Sequence, residues 1–424
     1  MTLKPLSRNH NYQLLWGSQA LSEFGINVTS IAFPLLVLVV TGSPGASGLV
    51  LGASAAAHLL AGLPAGALVD RWNRKTVMLA CEAVQAVTVG SLVLALWWDT
   101  ATVAHMVVVA AVLGVCGSMF EPAEEASLPN VVPAEQLPTA LAMNSARSFL
   151  AQLSGTAAGG FLFAVGRVVP FVVETVTHAV SFVALLFLRM PPRRVRSTPM
   201  RHLGREMAEG VRWMWRHRHV RATALCVVGL NLFFAAYYLV IIVLAQQRGV
   251  PTGEIGIMAA MFGAGGLLGA VVAPRLMRIL SPYGSIVGVC WILTALTPIS
   301  VFVSSGYLMG LLLAAMAFLA PTTNTAIDTY QLLVTPDELR GRLSGVMGVA
   351  GGIAAAAGPA AGGALLELVP GNQVMLLCAG GIALLTLSIT VSPTMRSFPR
   401  TPPAEADSPT TVMSSPIEKG TADG

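Results

Sequence analysis

Twelve windows of about twenty mostly apolar residues run along this chain, each ended by glycine, proline or charge. They lie near 14–40, 46–69, 76–98, 102–120, 144–165, 168–189, 221–245, 255–273, 284–303, 306–327, 343–366 and 373–392. That length is what a helix needs to cross the ~30 Å hydrocarbon core of a bilayer. Inside the core every backbone N–H and C=O must be satisfied within the protein, which leaves such a chain one arrangement, a bundle of helices. Charge agrees: 11% of the 424 residues are Asp, Glu, Lys or Arg, against about 25% in a soluble domain. Too few charges are present to cover a water-facing surface. The expected fold class is therefore an all-α membrane protein with twelve transmembrane helices. The opening MTLKPLSRNHNYQLLWG has no small-residue cleavage site, so the first window is read as a retained span rather than a signal peptide.

Basic residues orient the bundle. With the N-terminus inside, 22 of the 25 Lys and Arg face inward. Arg167 and Arg248 face outward, and Arg147 falls at an inner interface. The opposite topology inverts that count, so both termini are expected in the cytoplasm. Residues 1–189 and 221–392 then hold six spans each, joined by a basic stretch at 190–220. Its second part, REMAEGVRWMWRHRH, alternates basic and apolar residues at helical spacing. It reads as an amphipathic helix on the inner leaflet, with Trp213 and Trp215 at headgroup level, not as a nucleic-acid binder. The tail 393–424, rich in Pro, Ser, Thr and Ala, reads as disordered. Five cysteines, all in apolar windows without CxxC spacing, behave as small hydrophobes and imply no disulfide or metal.

An offset of 203 residues superposes distant landmarks. Gly62 and Gly66 fall on Gly265 and Gly269, Pro133 and Glu135 on Pro336 and Glu338, and Glu125 on Asp328. SGTAAGG at 154–160 falls on AGPAAGG at 357–363. The chain is thus expected to be two pseudo-symmetric six-helix halves with a cavity between them, rocking about the bilayer midplane. Small residues four apart let helices approach closely. Gly62/Gly66, Gly155/Gly159 and Gly358/Gly362, the last flanking Pro359, are expected as sliding contacts between helices.

GALVDRWNRK at 66–75 fits the GxxxDRxxR[RK] signature between spans two and three of the major facilitator superfamily, through Gly66, Asp70, Arg71, Arg74 and Lys75. GPAAGG at 358–363 resembles the GPxxGG element of its drug/proton antiporters, although there the element belongs to span five, where this chain has GTAAGG. The run FEPAEEASLPNVVPAEQLPTALAMNSARS and the segment after the central loop are similar to the branch of macrolide-efflux and enterobactin exporters. The antiporters' arginine in span four is absent from VVVAAVLGVCGSMF. The resemblance implies the major facilitator fold and secondary transport. It also implies that Asp70 meets the start of span eleven near Ser344, capping a helix N-terminus. Arg71 or Arg74 would pair with Glu121, Glu124 or Glu125, forming a latch that closes the cytoplasmic side. Asn324 and Asp328 would mirror Glu121 and Glu125 as a second gate.

Ionisable groups within spans are costly and mark pathways. Glu23 shares a face of span one with Asn27 and Ser30 and is the first candidate for proton coupling or substrate contact. Glu174 and His178, four apart in span six with Ser181 beyond, form a candidate proton relay. His58 stands alone in span two. Asn231, Phe234, Tyr237 and Tyr238 in span seven offer amide and aromatic contacts to a drug-like molecule. P-loop, nucleotide fingerprint and HExxH are all missing from the sequence, so no cofactor and no enzyme activity are expected and energy must come from a gradient. The reading is a monomeric secondary transporter of a bacterial plasma membrane. It is expected to export a small hydrophobic or amphipathic compound (an antibiotic, natural product or siderophore) against protons. Uptake, or a non-transporting sensor of the same fold, are the alternatives.

Overall fold

The computed structural model describes residues 5–190, 203–279, 281–335 and 337–396. Among these, twelve helical segments are long and apolar enough to span a membrane. The first half contains α1 (His10–Thr41), α2 (Pro44–Arg71), α3 (Arg74–Trp97), α4 (Val103–Val131), α5 (Leu137–Val165) and α6 (Val169–Leu186). A short helix α7 (Leu203–Arg216) leads into α8 (Arg218–Gln247), α9 (Thr252–Ile279), α10 (Pro282–Ile299), α11 (Gly306–Phe318), α12 (Ala320–Val334), α13 (Asp337–Leu368) and α14 (Gly371–Val391). The turn α15 (Pro393–Arg396) closes the described chain and buries Met395. It falls inside the tail expected to be disordered; residues 397–424, like 191–202 of the linker, lie outside the described residues.

Local chemistry sets the helix ends. Asn9, Ser43, Asn73, Thr102 and Ser281 each accept a first-turn N–H through their side chain, satisfying donors that a helix start leaves free. Gly42 takes a left-handed backbone (φ 68°), which a side chain would strain. It allows α2 to start three residues after α1 ends. The tenth span is broken rather than continuous. Pro321 lacks the N–H that would bond back to Ala317, and the chain restarts as α12 with Pro321 in its first turn.

The same helix pairs form in both halves. α1 packs on α5 and α6, α2 on α4, and α3 on α6; correspondingly α8 packs on α13 and α14, α9 on α11 and α12, and α10 on α14. The halves meet through α2 against α13 and α5 against α9, two contacts that the repeat interchanges. Glycines decide how close they come. A methyl group on Gly160 would lie 2.6 Å from the Cα of Gly256, and one on Gly48 2.3 Å from the Pro359 carbonyl oxygen.

The glycine pairs singled out from spacing lie at contacts between helices. Gly155 and Gly159 face α1, against Asn27 and the Val28 carbonyl. Gly358 and Gly362 face α8, against Leu232 and Ala236, and Gly62 faces Ser118 of α4. These contacts lie inside each half. The neighbouring Gly160 and Gly363 carry the contact between halves.

The bundle has a basic side, where the chain enters and α7 lies, and a far side. On the far side one apolar core is shared by both halves, from Ile31–Val37, Leu92 and Phe163 to Val240–Ile242, Ile255 and Leu313. On the basic side the cores are separate, one around Tyr12, Met78, Phe120 and Leu185, another around Cys226, Ile286 and Ile389. The α2–α13 seam runs from Pro44/Gly363 past Gly52/Ala356 to Leu59/Gly352. One and two turns further, no atom of the described residues lies within 4 Å of a methyl placed on Gly348 or Gly345. The halves are therefore closed at the far side and splayed at the basic side. Trp213 of α7 packs under the second half with Val220, Leu343 and Met347, so it is engaged with protein; Trp215 is exposed.

The far-side closure ends in a polar clasp. Glu367, near the end of α13, accepts the Ser43 hydroxyl and, at 3.2 Å, the Gly45 N–H. Both donors belong to the start of α2, where a carboxylate is stabilised by about 0.3–1 kcal/mol. Glu367→Ala is expected to shift population away from far-side closure by ~2–5-fold. Pulsed electron-spin distances between labels at Thr100 and Ser304 check this; an unchanged distribution would count against the clasp.

Candidate functional site

Glu23 sits near the middle of α1, Glu124 in the last third of α4 and Arg147 in the third turn of α5. α1 packs against both α4 and α5, which brings the three side chains to one point on the basic side of the midplane. Arg147 Nη2 and Nε donate to the two oxygens of Glu23 at 2.9 and 3.1 Å, and Nη1 and Nη2 donate to those of Glu124 at 2.7 and 3.3 Å. Ser148 Oγ adds a bond to Glu23 at 3.0 Å. One planar guanidinium thus serves two carboxylates through its fork of donors.

Burial grades the three groups. The Arg147 side chain is 4% exposed, Glu124 10% and Glu23 23%. Glu23 is the member that faces outward from the cluster. Asn27 and Ser30, expected to share its work, spend their donors on their own helix: Asn27 Nδ2 bonds the Glu23 carbonyl at 2.8 Å and Ser30 Oγ the Asn27 carbonyl at 2.7 Å. Glu121 and Glu125 are exposed on α4, with Glu121 in electrostatic reach of Glu23, Glu125 and His58. His58 packs over Gly114 and Gly117 of α4 with its ring exposed. The first half therefore presents an acidic wall.

A cavity of about 280 Å³ lies mainly among helices of the second half, lined by Asn231, Phe234, Phe262 and Asn324, with Phe149 and Gln152 of α5 at its edge. Its size is near the lower bound for small-molecule pockets. Phe234 stacks on Phe262 with ring centres 5.5 Å apart, and Tyr238 supports Phe262 at 5.4 Å. Tyr237 does not belong to this wall. It is fully buried in the far-side core and does not line the cavity, which corrects its assignment there.

The signature run at 66–75 has structural partners. Lys75 Nζ donates to the Leu186 and Leu188 carbonyls at 2.8 and 2.7 Å, closing the end of α6. Arg74 donates to the Ala126 carbonyl of α4. Glu124, one of three carboxylates expected to meet Arg71 or Arg74, is bound by Arg147 instead. The side chains of Asp70, Asp328 and Ser344, and the surroundings of Gly66, lie outside the described residues. A latch there would close the basic side, and the conformation described is the one with that side open.

Glu174 and His178 come together as their spacing requires, but not toward the cavity. Both are wholly buried between α1, α3 and α6, and Glu82 of α3 joins them, its Oε2 2.7 Å from His178 Nδ1. Ser181 Oγ bonds the Ser18 carbonyl of α1 at 2.7 Å. The sequence reading missed Glu82 and the central role of Arg147. Glu82 is the one acidic residue in span three and Arg147 the one basic residue within span five, and that isolation was the available signal.

Two six-helix halves around a central gap, open on one side and carrying paired ions at its wall, define a transporter fold. The family model of the Major Facilitator Superfamily matches residues 15–285 and 222–419, and the chain belongs to that superfamily. It is 28% identical over 350 residues to the multidrug efflux pump Tap of Mycolicibacterium fortuitum, covering 79% of this chain and 83% of that one. It is 23% identical over 416 residues to the enterobactin exporter EntS of Shigella dysenteriae, covering 95% and 97%. The crystal structure of the nucleoside transporter NupG superposes with a TM-score of 0.75 at 12% identity, covering 92% of this chain and all of that one; this likeness concerns the fold alone.

Removing one partner of a buried ion pair leaves the others uncompensated, at about 3–5 kcal/mol. Arg147→Ala is expected to lower thermal stability by that order in a fluorescence melt of purified protein. Arg147→Ala combined with Glu124→Gln should recover part of the loss. A single-variant melt equal to wild type would refute the pairing.

Proposed function

We propose that this protein exports small amphipathic cations or hydrophobic compounds from the cytoplasm of a bacterial cell in exchange for protons. The basic side is cytoplasmic under the positive-inside rule, with both termini there, so the conformation described is open to the cytoplasm. The names of the relatives Tap and EntS support export over uptake.

The observation that carries the reading is the Glu23–Arg147–Glu124 cluster. With all three groups ionised its charge is −1, at a site mostly sealed from water. One proton on Glu23 makes the cluster neutral and leaves Arg147 with Glu124. A lipophilic cation resting against Glu23 achieves the same neutrality, its apolar body on Phe234 and Phe262. Proton and cation thus neutralise the same charge and exclude one another, which is the requirement for exchange across a membrane. With the site empty and charged, the uncompensated ion disfavours passage through the fully closed intermediate. With either ligand bound, that penalty is gone and the halves can rock.

The test is flux of tetraphenylphosphonium in proteoliposomes under an imposed pH gradient. Wild type should move the cation against its gradient and stop when the proton gradient is collapsed. Glu23→Gln is neutral at all pH and should lose gradient-driven flux by at least ~10-fold, a loss of about 1.4 kcal/mol of coupling. Normal proton-driven flux in Glu23→Gln would remove Glu23 from the mechanism. Absence of proton-driven flux across a panel of lipophilic cations and neutral drugs would overturn the exchange reading.

A further inference from the structure

A second ionisable cluster lies on the face of α1 that packs against α6, away from the cavity. Glu82, Glu174 and His178 are each 0% exposed. His178 Nδ1 is 2.7 Å from Glu82 Oε2 and 3.2 Å from the Ser22 hydroxyl. His178 Nε2 faces Glu174 Oε1 at 3.8 Å, beyond hydrogen-bond distance. Among the described residues, both oxygens of Glu174, the second oxygen of Glu82 and Nε2 of His178 have no hydrogen-bond partner. The other titratable groups facing the cluster are the thiols of Cys81 on α3 and Cys116 on α4. α1 contributes the Ser22 hydroxyl, and none of the cluster's hydrogen bonds comes from a lysine or arginine.

Charge counting decides what such a cluster holds. With a neutral imidazole its charge is −2, with an imidazolium −1, and with one further proton on Glu174 it is zero. An uncompensated charge sealed in an apolar bundle is heavily penalised, and unmet hydrogen-bonding groups add to the cost. Protons are what these groups themselves can bind to remove the charge. The unpartnered Glu174 oxygens are where one would reside.

We propose that Glu82, Glu174 and His178 form a second proton-binding site, sealed within the first half, which takes up and releases one proton. Uptake forms one O–H bond on Glu174 as one O–H bond of a hydronium ion breaks and leaves water; release is the reverse. A groove of about 480 Å³ between α3 and α4 runs from Arg71 and Asn73 on the basic side to Cys81 and Cys116. Those two thiols are the electrostatic neighbours of Glu82 and His178 on that flank. On the opposite flank the cluster touches the turn of α1 that carries Glu23, because Ser22 is the preceding residue. α1 and α6 are in backbone contact there: a methyl on Gly25 would lie 2.2 Å from Thr177 Oγ1 and 3.2 Å from Glu174 Cα. Occupancy of the site is therefore felt by the segment that positions Glu23. This role in the cycle rests on the exchange reading above; the existence of the site does not.

The test is pH-difference infrared spectroscopy of the full-length protein in lipid, titrated from roughly pH 5 to 9 around the imidazole range. A carboxylic-acid carbonyl band from a group shielded from water is expected in wild type. It should be lost in Glu174→Gln, and its midpoint should move by about one pH unit or more in His178→Gln. If Glu174→Gln does not fold, Glu82→Gln, which removes the partner of His178, should also displace the midpoint. A wild-type spectrum without such a titrating band, or a band unaltered in every variant that folds, would overturn the proposal. A band that behaves as expected, beside a failed flux assay, would uphold this site while the exchange reading fell.

Discussion

A charge inside a bilayer has to be neutralised where it stands, because no water can reach it. Charged side chains of this protein are held in three ways, the first at the edges of the membrane and the other two inside it. At helix ends, Lys75 is spent on the open carbonyls of α6, and Arg248 on the Ser300 and Val301 carbonyls and the Asn372 side chain. Those contacts are structural, since carbonyls do not titrate. On the wall of the first half, Arg147 is shared between two carboxylates, so that cluster holds one more carboxylate than guanidinium. In the interior of the first half, two carboxylates surround a histidine with no fixed cation hydrogen-bonded to them. The three cases differ in the partner that holds the charged group: backbone carbonyls, a shared guanidinium or an imidazole.

The moving parts depend on a second constraint, the closeness of backbones. Successive residues of a helix point about 100° apart, so adjacent glycines open two different faces. In α5, Gly159 seats α1 while Gly160 seats α9; in α13, Gly362 seats α8 while Gly363 seats α2. One glycine of each doublet fixes the helix within its half and the next forms the seam between the halves. A side chain at either position would push apart backbones, which cannot yield as a rotamer can.

The architecture was legible in the sequence because it follows from length, hydropathy and the 203-residue offset, none of which depends on side-chain geometry. Span ten was read as continuous although Pro321 breaks it, since hydropathy is insensitive to a missing N–H. The site was legible only in part. Glu23, Glu174 and His178 stood out as ions in apolar windows, and each occupies an ionic cluster. Their partners were hidden because pairing joins α1 to α4 and α5, and α6 to α3, through sequence separations from 23 to 156 residues. Arg147 was assigned to an interface because its depth depends on where α5 begins, and α5 begins at Leu137, well before the apolar window that marked it. The glycine pairs were recognised as packing positions, but spacing cannot tell which neighbour a helix face meets.

The repeat also exposes a division of labour that neither half reveals alone. Gly155 and Gly159 meet Phe24 and Val28 just as Gly358 and Gly362 meet Leu232 and Ala236, so Arg147 of α5 corresponds to Ala350 and Glu23 of α1 to Asn231. Both of these ions have an uncharged counterpart. The second half instead supplies Asn231, Phe234, Phe262 and Asn324 to the cavity. Two frameworks built alike thus carry different chemistry: charge that can be titrated in one, shape and apolar surface in the other. Both ionic clusters lie within the first half, so their pairing does not depend on how the two halves sit against one another.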